Sequence, residues 1–409
     1  MSRRVVVTGM AGISPLGNDW ASIRRRLGSY RNAVTRMEEW ADYDGLNTQL
    51  GAPVGEFSLS DRYTIKTTRS MGKVALMATR ASELAIIDAG LRDDPLLKSG
   101  WLGIAYGSSA GTPKAVVDFG RMMDQRTTKG INATTYIKMM AHTAPVNIGI
   151  FLNVTGRIIT TCSACTSGSQ GIGYAYEAVR SGSQRAMIAG GAEELCVTDA
   201  AVFDTLFATS VRNDAADTTP RPFDAERDGL VLGEGAGSLI VEDFEHARAR
   251  GATIYAEIVG FGTNSDGCHV THPNAETMKM AMELALADAD LSPSAISYVN
   301  AHGTGTQHGD IAESQATANV FGSHIPISSL KSYMGHTLGA CGALEAWFTI
   351  EMMREGWFAP TINLNRIDSQ CAELDYIRGE GRQLQCEYAM SNNFAFGGIN
   401  TSLIFKKYP

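Results

Sequence analysis

Hydrophobic and polar positions along this chain follow two periods in turn. Short β-branched or apolar runs at residues 5–7 and 102–106 read as buried strands, while residues 74–91 repeat apolar positions at helical spacing. Strand-length runs alternating with amphipathic helices predict an α/β protein. The pattern also repeats on a larger scale. Gly235-Ala-Gly-Ser-Leu-Ile-Val241 is echoed by Gly398-Ile-Asn-Thr-Ser-Leu-Ile-Phe405, each a glycine-rich turn closing on a strand-like run, and residues 5–17 are echoed more faintly by 254–267. Two similar halves are expected, 1–250 and 251–409, joined by a helical, charge-rich stretch at 242–250. No proline-rich linker or low-complexity tract separates them, so one half should pack tightly on the other.

Composition narrows the function classes. Of 409 residues, 44% are hydrophobic and 19% charged, which excludes both a disordered and a membrane composition. No apolar run approaches the ~18 residues of a membrane span, and the Arg3-Arg4 pair precedes too few apolar residues to open a signal peptide. With 35 Lys plus Arg against 43 Asp plus Glu, the net charge is -8; this argues against nucleic-acid binding and requires a local basic patch for any acidic partner. Seven cysteines, an odd number spread from Cys162 to Cys386, do not resemble a secreted disulfide framework, so a reducing cytoplasm is the expected compartment.

The strongest local signal is Arg157-Ile-Ile-Thr-Thr-Cys-Ser-Ala-Cys-Thr-Ser-Gly-Ser-Gln-Gly-Ile-Gly173. An apolar run delivers Cys165 to a turn of small residues, with helix expected over 174–179. At a strand-to-helix junction, free backbone N–H groups and the helix dipole favour a thiolate nucleophile, and small neighbours admit a substrate carbonyl to an oxyanion hole. A small buried cysteine is the bland alternative. Cys162 and Cys165 form a C-x-x-C, but no second such pair or nearby histidine pair completes a zinc or redox motif. Further on, His302 follows a strand-like run and precedes Gly-Thr-Gly-Thr, and a second strand-like run leads to Lys331 and His336; two histidines and a lysine on post-strand loops suit proton transfer. His308 reads as a surface or supporting residue, and the His269/His272 pair lacks a metal-binding spacing. Gly229-Leu-Val-Leu-Gly-Glu-Gly-Ala-Gly237 has no Lys-Ser/Thr ending and reads as a tight strand-turn-strand, not a phosphate loop. Phe394 and Phe396, on Met390-Ser-Asn-Asn-Phe-Ala-Phe-Gly-Gly-Ile-Asn400, could exclude water from a reacting centre.

Taken together, these segments resemble the β-ketoacyl-acyl-carrier-protein synthases of the thiolase superfamily, specifically the type II elongating enzymes. The resemblance spans the chain and rests on Val5-Val-Val-Thr-Gly-Met, Ala164-Cys-Thr-Ser-Gly168, Arg221-Pro-Phe-Asp-Ala-Glu-Arg-Asp-Gly, Asn300-Ala-His-Gly-Thr-Gly-Thr306, Lys331-Ser-Tyr-Met-Gly-His336 and Phe394-Ala-Phe-Gly-Gly398, in that order and spacing. It implies a thiolase-like fold, duplicated βαβαβαββ halves forming a five-layer α-β-α-β-α core. It implies that Cys165 holds the acyl chain as a thioester, that the N–H groups of Cys165 and Phe396 form the oxyanion hole, and that His302 and His336 stabilise the enolate left when malonyl thioester loses carbon dioxide. Lys331 would support the histidines with Glu345 as its carboxylate partner. Thr304 and Thr306 would bind the phosphopantetheine arm, Phe394 would flank the decarboxylation site, and Phe396 would gate the acyl pocket. The resemblance calls for no metal, nucleotide or other cofactor.

The implied partner is an acidic acyl carrier protein, docking at Lys66, Arg69 and Arg212, with Ser70 standing where elongating enzymes often carry another basic residue. A homodimer is expected, or a heterodimer with a related ketosynthase or chain-length factor. Ala110 occupies the expected floor of the acyl pocket near the dimer partner, where many relatives have a larger apolar residue. With Gly305 and Gln307-His308, it points to a longer, stiffer or aryl-capped chain, as in an aryl-polyene pathway, beside ordinary fatty acid elongation. A non-catalytic chain-length-factor role is the rival reading, opposed by the presence of the cysteine, both histidines and the lysine. Thiolase chemistry on coenzyme A is opposed by the second histidine loop, with Cys341 read as packing.

Overall fold

The computed structural model describes residues 3–409; residues 1 and 2 of the expected first half lie outside it. Five strands of the first half are β1 (Val5–Ile13), β2 (Leu102–Gly107), β3 (Ile158–Thr161), β4 (Ala186–Glu193) and β5 (Gly235–Asp243). Their counterparts are β6 (Ala256–Ser265), β7 (Ile296–Asn300), β8 (Pro326–Ser328), β9 (Tyr388–Phe394) and β10 (Ile399–Lys407). The spatial orders are β3-β2-β4-β5-β1 and β8-β7-β9-β10-β6, the same third-second-fourth-fifth-first order in both. Strand directions match too: the first three in each order are parallel, and the fifth strand runs antiparallel to both its neighbours. β1 pairs with β6 over Val5–Val7 and joins the two arrays edge to edge.

Six helices complete the layers. α1 (Lys73–Asp88) and α2 (Thr143–Leu152) cover the outer face of the first array, and α4 (Ala275–Ala289) and α5 (Gln307–Phe321) that of the second. Between the arrays lie α3 (Ser167–Arg180) and α6 (Cys341–Glu355), which touch each other and strands of both halves. This is the α-β-α-β-α order of a duplicated thiolase-like fold. Burial on both sides explains the sequence pattern. Every residue of β4, Ala-Met-Ile-Ala-Gly-Gly-Ala-Glu, is buried, so it shows no alternation. α6 is buried continuously from Cys341 to Met353 and therefore lacks a polar face.

Two expected boundaries move. α3 starts at Ser167, not near Tyr174, because its glycines are packing residues: a Cβ on Gly168 would stand 2.9 Å from the Gly339 carbonyl oxygen, and one on Gly173 2.3 Å from the Phe261 ring. The close approach of middle-layer helices and strands outweighs glycine's low helix propensity. The joining stretch at 242–250 is helical only over Phe244–Ala249. Glu242 belongs to β5, where it is fully buried and accepts hydrogen bonds from Thr8 and Arg250, each at 2.7 Å. Gly229–Gly237 forms a short strand at Leu232–Gly233 followed by β5, as its lack of a phosphate-loop ending implied. Among the described residues, no helix is long and apolar enough to cross a membrane.

Candidate active site

Strand β3 hands the chain to a single 3-10 turn, Ala164–Thr166, and α3 follows at once. Ala164 has φ +49°, a left-handed conformation that an alanine adopts at a cost of roughly 1 kcal/mol. Hydroxyls hold the bend: Ser167 Oγ donates to the Ala164 carbonyl at 2.7 Å, and Thr166 Oγ1 donates to the Ser163 carbonyl at 2.7 Å. Cys165 is thereby presented at the start of α3 and is buried, 3% exposed. Burial pushes its thiol up to about 11, against the opposing pull of the Phe396 N–H, the Lys331 charge and its own N–H. The two N–H groups assigned to the oxyanion hole thus both serve the sulfur.

The corresponding loops of the second half bring the histidines. His302 lies just beyond β7, and α5 pins its loop with two carboxylates one turn apart. Glu313 accepts the N–H groups of His302 at 2.7 Å and Gly303 at 2.6 Å; Asp310 accepts those of Thr304 and Gly305, both at 3.1 Å. Burial drives the Glu313 carboxyl up to about 8 and the Asp310 carboxyl up to about 6, even with these donors opposing the shift. Beyond β8, the short helix Lys331–Met334 ends at Gly335, whose φ of +66° turns the chain where a Cβ would meet the Val231 carbonyl at 2.7 Å. His336 follows, its Nε2 2.9 Å from Cys165 Sγ. The two imidazole rings lie 5.1 Å apart and perpendicular, and one donor atom from each of Cys165, His302 and His336 lies within 4.8 Å of the others. Burial, then the charge of Lys331, holds both imidazoles well below the ordinary range, with His336 also lowering His302.

Lys331 and Glu345 are fully buried and form a close ion pair. Burial is the largest influence and opposes the Lys331 charge, but Glu345, Cys341 and Glu313 together outweigh it and raise the ammonium above its ordinary value. Asn393, on β9, donates to the second Glu345 oxygen at 2.7 Å and lies 3.5 Å from His302 Nδ1. Asn393 and Glu313 were not singled out from the sequence. For Glu313 a signal existed, since Asp310 and Glu313 sit at i,i+3 in the first turns of the helix after the His302 loop; Asn393 sits in the Ser-Asn-Asn run of β9, where nothing in the pattern marks it from its neighbours.

A cleft of about 480 Å³ opens over Cys165 and is lined by His302, Thr304, Thr306, Phe394 and Phe396. The Phe394 ring is 6.2 Å from that of His302, Phe396 meets Phe203 edge-on at 5.8 Å, and the Thr304 and Thr306 hydroxyls share a hydrogen bond of 2.9 Å. His308, read from sequence as a surface or supporting residue, is exposed and also lines this cleft. Other expected residues lie elsewhere. Ala110 is exposed and does not line the cleft of its own chain. Lys66 and Arg69 are exposed on and beside the short helix Ile65–Thr68, away from the lining, while Arg212 is half-buried, donating to the Glu226 carbonyl at 2.8 Å and pairing with Asp228 at 3.4 Å. Cys162 is exposed and turned toward the Ser109 carbonyl, so the C-x-x-C does not form one site; Cys341 is buried and donates to the Cys165 carbonyl at 3.2 Å.

Residues 2–247 match the model of the β-ketoacyl synthase N-terminal domain and residues 255–365 that of the C-terminal domain. A 3-oxoacyl-[acyl-carrier-protein] synthase 2 of Synechocystis is 37% identical, covering 99% of this chain and 98% of the relative. The crystal structure of a β-ketoacyl synthase from Burkholderia phymatum superposes with a TM-score of 0.98 at 58% identity, over 100% of both chains. At 29% identity and a TM-score of 0.86, also over 100% of both chains, lies a type II polyketide ketosynthase bound to the hexaketide and in complex with its acyl-carrier protein.

Proposed function

The chain belongs to the β-ketoacyl synthase family and is an acyltransferase of the 3-oxoacyl-acyl-carrier-protein synthase type; from that premise we propose that it condenses malonyl and acyl thioesters through a covalent intermediate on Cys165. The 2.9 Å approach of His336 Nε2 to Cys165 Sγ carries this assignment. A thiol near 11 does not ionise by itself at neutral pH, so a neutral imidazole has to take its proton as sulfur attacks the acyl thioester. The N–H groups of Cys165 and Phe396 receive the carbonyl oxygen as it gains charge, and the carrier leaves as its thiol after recovering the proton. Malonyl thioester then enters, and its carbonyl oxygen accepts hydrogen bonds from His302 and His336. Carbon dioxide departs, leaving an enolate whose carbon attacks the acyl-Cys165 thioester. The product is a 3-oxoacyl chain two carbons longer on the carrier, and the released thiolate regains a proton. Lys331 is a positioning residue: paired with Glu345, it holds the histidines neutral and Asn393 in place. These steps require no metal or other cofactor.

The carrier is an acidic acyl carrier protein whose phosphopantetheine arm passes Thr304 and Thr306. Lys66, Arg69 and Arg212 form its docking face, Arg212 by exchanging its pairing with Asp228 for the carrier. A second chain sits against edge strand β3. Ile158 there is 44% exposed and Ile150 on α2 67% exposed, and Ala110, exposed and outside the cleft of its own chain, would floor the acyl pocket of the second chain. A second copy of this chain is the favoured partner over a chain-length factor, because this chain holds its own cysteine, histidines and lysine. The small Ala110 favours longer or stiffer chains of the polyketide or aryl-polyene kind beside saturated fatty acyl chains.

The test separates the two half-reactions. His302→Ala should still become acylated on Cys165 but release no carbon dioxide from malonyl carrier above background. A variant that loses acylation and keeps decarboxylation would overturn the assignment of roles.

A further inference from the structure

Three histidines outside the reacting centre converge at the mouth of the same cleft. His269 and His272 lie on the exposed loop between β6 and α4, and His308 lies in the first turn of α5. Nδ1 of His269 is 2.9 Å from Nδ1 of His272, with their rings 4.3 Å apart, and the His308 ring is 6.0 Å from that of His272. Beyond each other, the His269 and His272 nitrogens are approached only by Thr271 among the described residues, through its N–H at 3.1 Å and its hydroxyl at 3.2 and 3.5 Å. Along the chain the pair has no metal-binding spacing. In space a third imidazole, distant in sequence, stands beside the pair.

We propose that His269, His272 and His308 form a binding site for a borderline transition-metal cation such as Zn²⁺, which ties the loop at residues 267–273 across the mouth of the cleft. Imidazole nitrogens bind Zn²⁺ at about 2.0–2.1 Å, which sets two of them roughly 3.3 Å apart on a tetrahedral ion, so the Nδ1 pair at 2.9 Å opens slightly to admit it, and His308, its ring 6.0 Å from that of His272, swings in as the third ligand. For both Nδ1 lone pairs to face the ion, the proton between them is exchanged through solvent to Nε2 of the same neutral imidazole, with no net release. The same loop is bonded to the gate of the reacting centre: the Val270 carbonyl accepts the Gly397 N–H at 2.8 Å, next to Phe396. Anchoring the loop to α5 therefore restricts both the mouth, which His272 and His308 line, and the Phe396 turn. The inhibitory consequence rests on the condensing reaction proposed above; the binding itself does not.

Cys165, His302 and His336 form a second set of clustered donors, so the experiment starts from full-length, metal-free Cys165→Ala protein titrated calorimetrically with Zn²⁺. One ion per chain is expected. Adding His269→Ala or His272→Ala should abolish that binding, and His308→Ala should weaken it beyond the ~10–100-fold loss seen when only a hydrogen-bond partner of a ligand is removed. No binding to Cys165→Ala, or binding unchanged by the loop substitutions, would overturn the site. In the active protein, Zn²⁺ should slow condensation reversibly with chelator, and His269→Ala, which does not line the cleft, should relieve that inhibition. Inhibition undiminished in His269→Ala would place the ion at Cys165 and overturn the proposed action at the mouth.

Discussion

A buried thiol raised to about 11 beside two imidazoles held well below their usual value sets the protonation states on which the chemistry depends. At pH 7 all three groups are neutral. His302 and His336 then donate through N–H to an enolate oxygen without acquiring charge, and His336 can accept the thiol proton. Because their values in the folded protein lie below the unfolded value near 6.5, protonation in the site begins only well under that pH. Malonyl decarboxylation should therefore persist unchanged as pH falls through 6.5 and decline only at lower pH, measured as carbon dioxide release at saturating malonyl carrier. A midpoint at or above 6.5 that Glu313→Gln leaves unmoved would contradict the lowered imidazoles, since Glu313 is the other group beside His302 that titrates in that range. The same residues were the most legible in sequence, since Cys165, His302, Lys331 and His336 all follow strand-like runs and adjoin small residues. Asn393 was not legible, because its importance lies in reaching Glu345 across space, and no residue near it in sequence records that contact.

At the scale of elements, the halves meet through glycine. Gly168 at the start of α3 and Gly339 just before α6 bring the Cys165 turn against the His336 loop, and a Cβ on Gly168 would stand 2.9 Å from the Gly339 carbonyl and 3.0 Å from the Ala343 nitrogen. Backbone on that side cannot move aside as a flexible side chain would. Gly168→Ala should destabilise the protein by about 1–3 kcal/mol, as overpacking does, and reduce Cys165 acylation more than a helix-propensity change can explain. Unfolding by denaturant together with single-turnover acylation would check it; wild-type values in both would mean that the two loops are not held together by this contact. The small residues after Cys165 read as a turn in the sequence, whereas Gly168 lies inside a helix. Helical periodicity is lost where α3 is buried from Ser167 to Gly173 and α6 from Cys341 to Met353, so the middle layer is the part of the fold least readable from pattern. The strand runs and the echo between halves read more directly, because β5 and β10 hold equivalent places in arrays of the same strand order.

For the whole molecule, one protomer contains the reacting groups but leaves β3 at an open edge with Ile158 and Ala110 exposed. An unpaired edge strand beside exposed apolar side chains is a ready surface for a second chain. Sedimentation should give a mass twice that of one chain, and Ile158→Lys should shift it toward the monomer. Ala110→Phe should shorten the longest acyl chain accepted while leaving acylation by short chains intact; unaltered chain-length preference would remove Ala110 from the partner's pocket. The most direct measurement of all is intact mass after exposure to a panel of acyl-carrier substrates, comparing wild type with Cys165→Ala. Wild type should gain the mass of one acyl group per chain, localised by peptide mapping to Cys165, and Cys165→Ala should gain none. An adduct of the same mass surviving in Cys165→Ala would contradict covalent catalysis at this residue.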